Sequence, residues 1–498
     1  MRDLLQDPLW QGDSLGCPLP ESPHAVSVSL PLWDHVIGYE EGDPEVVGKM
    51  LSGYPRFFLP PLTQALFKQA EAAFAHEGEG CLVFPSKVAA ERCRNFVEQR
   101  QPECSIRLEE MPPCGLWVIV FPESIRATVR LYWRFSGEIV SSRWAKAALE
   151  NAPANATAGR VAKVQIRERL AKLASVRAGD VFLFPSGMAA VFAVHRMLES
   201  VLPGRRSVQL DFPYVDVLKV QEQFGQGVKF YPIVTPDVIK EVCAQASANE
   251  LNGVFCEIPS NPMLSCVPLA EIGPELRAHR VPLVIDDTVA TVINIDALKY
   301  ADVVTTSLSK AFSGVGDVLA GAVTLNPTSP FYAKFRAYLD SELAENDIFW
   351  WEDAVTLEAN SRDFPKRARR ASLNATLLAR FLETHRNVDR VFYPDVTAPG
   401  FSELARPNGL GGCLLTFTLK DPSAVASVYD ALRVCKGPSL GTNFTIACPY
   451  TMLAHYTELE WAAECGVPSH LIRVSVGLEE MDDLYERFET ALAQADRC

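Results

Sequence analysis

The chain is 498 residues long, with 48% hydrophobic, 22% charged and 9% aromatic residues, so it can bury more than one core and is not globally disordered. Its 47 basic and 61 acidic residues leave a formal net charge of -14, which repels phosphate backbones and anionic lipid and argues against nucleic acid as a partner. No uncharged apolar run is long enough to span a bilayer, and the start carries acids where a signal peptide has its apolar core, so a cytoplasmic chain with no membrane partner is expected.

The first 30 residues are rich in Pro, Ser and short polar side chains and read as an extended arm. A small folded region is expected from 33 to about 135, with buried strands at 81–84 and 116–121. Residues 150–159 read as a loop, followed by a charged helix over 161–174. From there short apolar runs alternate with helix-period segments: 181–184, 207–211, 228–234, 253–258, 281–286, 301–307 and 320–325. That alternation predicts a largely parallel sheet covered on both faces, with ligands beyond the carboxyl ends of the strands. A helical stretch broken near 346–351 runs from 327 to about 385. Strands at 388–392, 412–419 and 471–476 with helices at 423–434 and 479–493 then predict a smaller α+β domain. The expected division is an N-terminal extension region (1–135), a large α/β domain (136–326), connecting helices (327–386) and a small C-terminal domain (387–498).

Thirteen cysteines are scattered from Cys17 to Cys498 without a Cys-x-x-Cys pair, and the eight histidines are isolated, so reduced thiols and no metal site are expected. The chemistry-bearing residues stand at strand ends instead. Asp286 ends one apolar run, and Lys310 follows the next in Thr-Thr-Ser-Leu-Ser-Lys. A buried carboxylate beside such a lysine suits pyridoxal 5'-phosphate: the acid keeps the pyridine nitrogen protonated, and the amine forms an imine with the aldehyde and then moves protons. Ser307 and Ser309 can offer hydroxyls to the cofactor phosphate. A solvated lysine reads the same when Ser-x-Ser-Lys is taken alone.

Phe-Pro-Ser-Gly-Met-Ala-Ala, 184–190, stands between a strand and a helix, where Ser186 and the backbone N–H groups of Gly187 and Met188 suit an anion, or form a simple turn. Residues 84–90 echo it with Lys87 in place of the glycine and no carboxylate or lysine strands following, so a turn without ligand is expected there. Tyr214 either stacks on the pyridine face or packs in the core. Asn261, in Glu-Ile-Pro-Ser-Asn-Pro, either bonds the cofactor's phenolic oxygen or shapes a turn. Arg473, among strand residues, needs a partner: a substrate carboxylate or a structural acid. Lys310, Tyr214 and Asp286 are the candidate catalytic residues.

In this order the motifs resemble the Cys/Met-metabolism (trans-sulfuration) group of pyridoxal-phosphate enzymes, and within it the fungal cystathionine γ-synthase branch. The branch is carried by Val-Ile-Gly-Tyr-Glu-Glu-Gly-Asp (36–43), Gly-Tyr-Pro-Arg-Phe (53–57) and the run from Ser439 to Tyr456. The resemblance covers nearly the whole chain. It implies a type I, aspartate-aminotransferase-like α/β fold, a homodimer or homotetramer, and a substrate α-carboxylate held around Ser439 and Arg473. The reaction implied is γ-replacement on an O-acylhomoserine, with cysteine as nucleophile giving cystathionine. Alternatives are a carbon nucleophile such as a β-keto acid in a specialised pathway, or a catalytically silent homologue, against which the intact Lys310 and Asp286 argue. One departure stands out: the group's Tyr-x-Arg, which reaches the neighbouring subunit's cofactor, is matched here by Ser141-Ser142-Arg143. Arg143 then supplies the phosphate contact across an interface, while the tyrosine's role is lost or reassigned.

Overall fold

Three sheets organise the chain, in a computed structural model that describes residues 2–497 other than 113, 395, 398 and 399. The first has strands β1 (Glu79–Phe84), β2 (Arg107–Met111) and β3 (Leu116–Pro122), all antiparallel in the order β1-β3-β2. Charged Arg107, Glu109 and Glu110 mark β2 as a half-exposed edge, which is why its apolar content falls below what a sequence pattern reveals.

The second sheet contains β4 (Val181–Phe184), β5 (Arg206–Leu210), β6 (Val228–Tyr231), β7 (Leu251–Glu257), β8 (Leu283–Asp286), β9 (Val303–Ser307) and β10 (Gly321–Leu325). Their order is β4-β10-β9-β8-β7-β5-β6, with β10 antiparallel to both its neighbours and the remaining pairs parallel. The reversal follows from the β9–β10 link, which contains turns and no helix, so no crossover is made. Lys310 lies in that link. Helix Gly187–Val201, apolar nearly all round, is wedged between this sheet and the first unit, which removes the polar face a surface helix would show.

The third sheet closes the chain: β11 (Val388–Phe392), β12 (Leu414–Leu419), β13 (Cys435–Lys436), β14 (Ile446–Pro449) and β15 (Ile472–Ser475), ordered β11-β12-β15-β14-β13. Arg473 is on β15, paired with Thr416 of β12 and Cys448 of β14. No helix among the described residues is long and apolar enough to cross a membrane. None of the twelve described cysteines is in a disulfide, and Cys498 lies outside the described residues.

The region ahead of residue 136 is in two parts. Residues 61–136 build the first sheet and its helices, and helix Ser142–Leu149 adds Trp144 and Ala145 to the same core. Most of the arm before it packs elsewhere, with Leu15, Val28, Leu30, Val36 and Met50 in the core of the third sheet, while Val26 reaches the core of the first. Fully buried Lys436 donates to the Pro31 carbonyl at 2.8 Å, and the Tyr429 hydroxyl donates to that of Leu30 at 2.8 Å, pinning the arm down.

Helix Phe364–Thr384 secures the Lys310 link. The Arg367 guanidinium donates to the carbonyls of Ala311 (3.2 Å), Phe312 (3.1 Å) and Ser313 (3.2 Å) and to Asn443 Oδ1 (3.0 Å), joining the link to the closing domain. Arg367→Ala leaves these buried acceptors unpaired and is expected to cost on the order of 3 kcal/mol, read as a lower thermal midpoint. An unchanged midpoint would show that the link holds without it.

Candidate active site

Register brings the site together. In-register pairing of β7 with β8 sets Glu257 directly beside Asp286, and pairing of β8 with β9 sets Asp286 beside Thr305, with Ser307 at the end of β9. Like charges side by side on a sheet repel. Burial pushes the Glu257 carboxyl well up, and the neighbouring Asp286 adds to it; burial also raises Asp286, against hydrogen bonds from Thr288 and Thr305. The Thr288 N–H donates to Asp286 at 2.9 Å and the Tyr214 N–H to Glu257 at 2.9 Å. Asp287 points away, takes a hydrogen bond from the Thr306 hydroxyl, and is pushed up to about 7 by burial.

These strand ends open into a cavity of about 820 Å³ whose walls include Gly187, Met188, Tyr214, Asn261, Asp286, Ser307, Lys310 and Arg473. Lys310 Nζ lies 3.4 Å from the Ser439 hydroxyl and 4.6 Å from the centre of the Tyr54 ring. Burial pulls its pKa down to about 7, and the charges of Arg473 and Arg56 push the same way. A neutral amine is the form that attacks an aldehyde and takes up a proton.

The Gly187 helix start faces Ser307 so closely that a Cβ at Gly187 would stand 2.8 Å from that of Ser307. The first N–H groups of this helix have no intrahelical acceptor, so a narrow, donor-lined cradle suited to phosphate results. The pyridoxal-phosphate requirement is therefore met by this donor set: an anion cradle, a buried acid and a neutral lysine around one cavity. Ser186 and Ser309 stand apart from it. Ser186 donates its hydroxyl proton to the Gly137 carbonyl and caps the helix at Ala189 N, while Ser309 bridges the carbonyl and N–H of Ala320. Neither has a proton left to donate to an anion.

Arg473 is buried in β15. It donates to Asn261 Oδ1 at 3.2 Å and to the carbonyls of Pro438 and Ser439 at 3.1 and 3.2 Å, with the Tyr450 ring centre 4.8 Å away. No carboxylate of the described residues forms an ion pair with it, and its charge acts at longer range on Glu257, opposing the rise of that carboxyl. Gly441, at φ +72°, lets the Ser439 loop reach Lys310, since a Cβ there would stand 2.4 Å from Ala311 N.

Arg143 lies outside this cavity. Its guanidinium donates to the Asp317 carbonyl at 2.6 Å and pairs with the carboxylates of Asp317 (3.0 Å) and Asp353 (3.3 Å). Ser141 caps the following helix at Trp144 N. The echo at 84–90 repeats the fold of the cradle without its chemistry: Ser86 caps helix Lys87–Arg100 at Ala89 N, as Ser186 does at Ala189, and Lys87 fills the glycine's place.

Glu257, Asp216, Tyr54 and Arg56 are among the cavity residues to which the sequence reading gave no role. Glu257 stood in the Glu-Ile-Pro-Ser-Asn-Pro run and Asp216 two places beyond Tyr214, both readable as strand-end or helix-start acids. Tyr54 and Arg56 were visible only as a Tyr-x-Arg spelling far from the cradle in sequence.

Residues 157–493 match the Cys/Met metabolism PLP-dependent enzyme family, and residues 62–141 the N-terminal domain of fungal trans-sulfuration enzymes. Cystathionine gamma-synthase of Neurospora crassa is 31% identical, covering 97% of this chain and 98% of that protein. The cystathionine gamma-synthase-like enzyme iboG2 of Amanita muscaria is 32% identical over 97% and 96%. Among solved structures, cystathione gamma lyase (CalE6) from Micromonospora echinospora superposes with a TM-score of 0.58 at 26% identity, over 66% of this chain and 86% of that one.

Treating the cofactor-free protein with pyridoxal phosphate and then borohydride is expected to label Lys310. The labelling rate should rise with pH through about 7 as the amine loses its proton, whereas exposed lysines gain reactivity only toward about 10. Peptide mapping that finds the label elsewhere would remove Lys310 from its role.

Proposed function

The chain belongs to the Cys/Met-metabolism family of pyridoxal-phosphate-dependent enzymes, and from that premise we propose that it performs γ-replacement on an O-acyl-L-homoserine with L-cysteine, releasing the carboxylate and forming cystathionine. The observation that carries this reading is the single cavity shared by Lys310, Asp286 and Arg473, an arginine with no ion-pair partner among the described residues, with room beyond them for a second substrate.

The residues divide the work by chemistry. The cofactor would be held by Lys310 at its aldehyde, Asp286 at its ring nitrogen, Tyr214 at its face and the Gly187–Met188 N–H groups at its phosphate. When bound, it supplies the electron sink that makes the substrate's α and β protons removable. Lys310, lowered to about 7 so that much of it is neutral near that pH, is the base that takes the α proton, and it is placed to move the β proton that precedes departure of the acyloxy group. Burial raises Asp286 against the hydrogen bonds from Thr288 and Thr305, and its carboxylate would ionise to pair with a protonated ring nitrogen of the bound cofactor. Arg473, held in plane by Asn261 and two carbonyls, presents its remaining charge to the amino acid's α-carboxylate. Small amino-acid substrates fit these groups; a homodimer or homotetramer and a cytoplasmic location belong to the same proposal.

Product identification by mass spectrometry, with O-acetyl- and O-succinyl-homoserine against thiol and β-keto-acid nucleophiles, is expected to give cystathionine with cysteine. A carbon–carbon product in its place would assign the chain to carbon-nucleophile chemistry, and no product with any pair would sink the reading.

Asp286→Asn is expected to keep bound cofactor and lose most turnover, because an amide does not hold the ring nitrogen protonated. Near wild-type turnover would remove Asp286 from this role. Arg473→Lys keeps charge and loses the planar fork, and should lower kcat/KM by roughly 30- to 1,000-fold, about 2 to 4 kcal/mol, with the cofactor spectrum unchanged. Loss of the cofactor band would place Arg473 at the cofactor instead.

A further inference from the structure

Residues 1–61 lie outside both family matches, yet this stretch supplies Tyr39, Glu40, Tyr54, Arg56, Phe57 and Phe58 to the cavity wall. Two of them touch the reactive groups. The Tyr54 ring faces the Lys310 amine at 4.6 Å, close enough to shield it from water. Arg56 Nη2 donates to the Tyr214 hydroxyl at 2.7 Å, and its Nη1 pairs with Asp216 at 2.5 Å and with the Arg134 carbonyl at 3.0 Å.

The Arg56–Asp216 pair is almost fully buried, with side-chain exposures of 1% and 0%. Burying two charges costs several kcal/mol that apolar residues of the same volume would avoid, so stability alone is a weak account of it. Asp216 also takes Arg134 at 3.2 Å, and the Tyr214 hydroxyl lies 3.3 Å from the same acid. Tyr214 is thereby gripped from two sides, its N–H by Glu257 and its hydroxyl by Arg56. Arg56 Nε, buried, has no hydrogen-bond partner among the described residues, leaving one donor open in this wall.

We propose that the N-terminal arm completes the active site of its own chain: Tyr54 caps Lys310, and Arg56 is a positioning residue that fixes the plane of the Tyr214 ring. This rests on the reading of Lys310 as the cofactor lysine. The arm is fastened to the closing domain through Pro31 and Leu30, so the 53–58 turn enters the cavity from a fixed anchor.

The test uses the full chain. In the cofactor-free protein, Tyr54→Ala should move the pH midpoint of Lys310 labelling upward by about one unit, because the amine regains water, while Tyr54→Phe leaves it in place since the ring provides the cover. Tyr54→Gln, which fills much of the volume with a polar amide beside the amine, should give the same upward shift and serves if the alanine variant does not fold. Arg56→Lys should lower kcat/KM by about 100-fold and alter the circular dichroism induced in the cofactor band. In a Tyr214→Phe background, where the gripped hydroxyl is gone, it should cost little more. Mixing Tyr54→Ala with Lys310→Ala chains should give no activity beyond that of the Tyr54→Ala chains alone. An unmoved midpoint in folded Tyr54→Ala, additive losses for Arg56 and Tyr214, or recovered activity in the mixture would each overturn the proposal. The midpoint needs no substrate: a shifted midpoint in a chain that makes no cystathionine keeps this inference and rejects the substrate reading. A label on another lysine rejects both.

Discussion

Everything at the centre of this molecule answers to the cost of keeping ionisable groups out of water where β7, β8 and β9 end. Glu257 and Asp286 are adjacent by strand register, Lys310 follows one strand later, and Arg473 enters from the closing domain. None of these groups has an ion-pair partner among the described residues, and the protein meets the cost by shifting protonation and by backbone donors. A lysine held neutral and an acid held ready to ionise are poised for a ligand carrying the complementary charges.

The rest of the architecture holds that arrangement still. The β9–β10 link that carries Lys310 has no helix to stiffen it, and Arg367 fixes its carbonyls from the connecting helix Phe364–Thr384. Gly441 allows the Ser439 loop to touch the same link, so two sheets meet at one side chain. Because the cavity lies between domains, its shape depends on how they dock, and residues remote from it contribute through that docking.

The N-terminal arm follows the same logic from the opposite end of the chain. Its apolar residues are absorbed into the closing domain, and Lys436, buried and pulled down to about 7 by that burial, is satisfied by carbonyls of the arm and of Asp430. What emerges from the anchor is a turn whose tyrosine and arginine face the reactive lysine and the cavity tyrosine.

Local pattern sufficed for much of this. Apolar runs bounded by turn residues located all seven strands of the central sheet, and strand ends located Asp286, Lys310, Tyr214 and Asn261, because alternation and punctuation are properties of neighbouring residues. The charged edge strand β2, the short strands β13 and β14, and the reversal of β10 were not legible, since edge position and strand direction depend on what lies alongside. Ser186 and Ser309 carried the right residue types, yet only the folded backbone shows their protons given to the Gly137 and Ala320 carbonyls. Arg143 likewise is drawn to Asp317 and Asp353, more than 170 residues away in sequence. Tyr54 and Arg56 mark the boundary most clearly: the residues were in plain view, but a contact across some 160 to 250 residues is decided by tertiary packing, which no local spacing encodes.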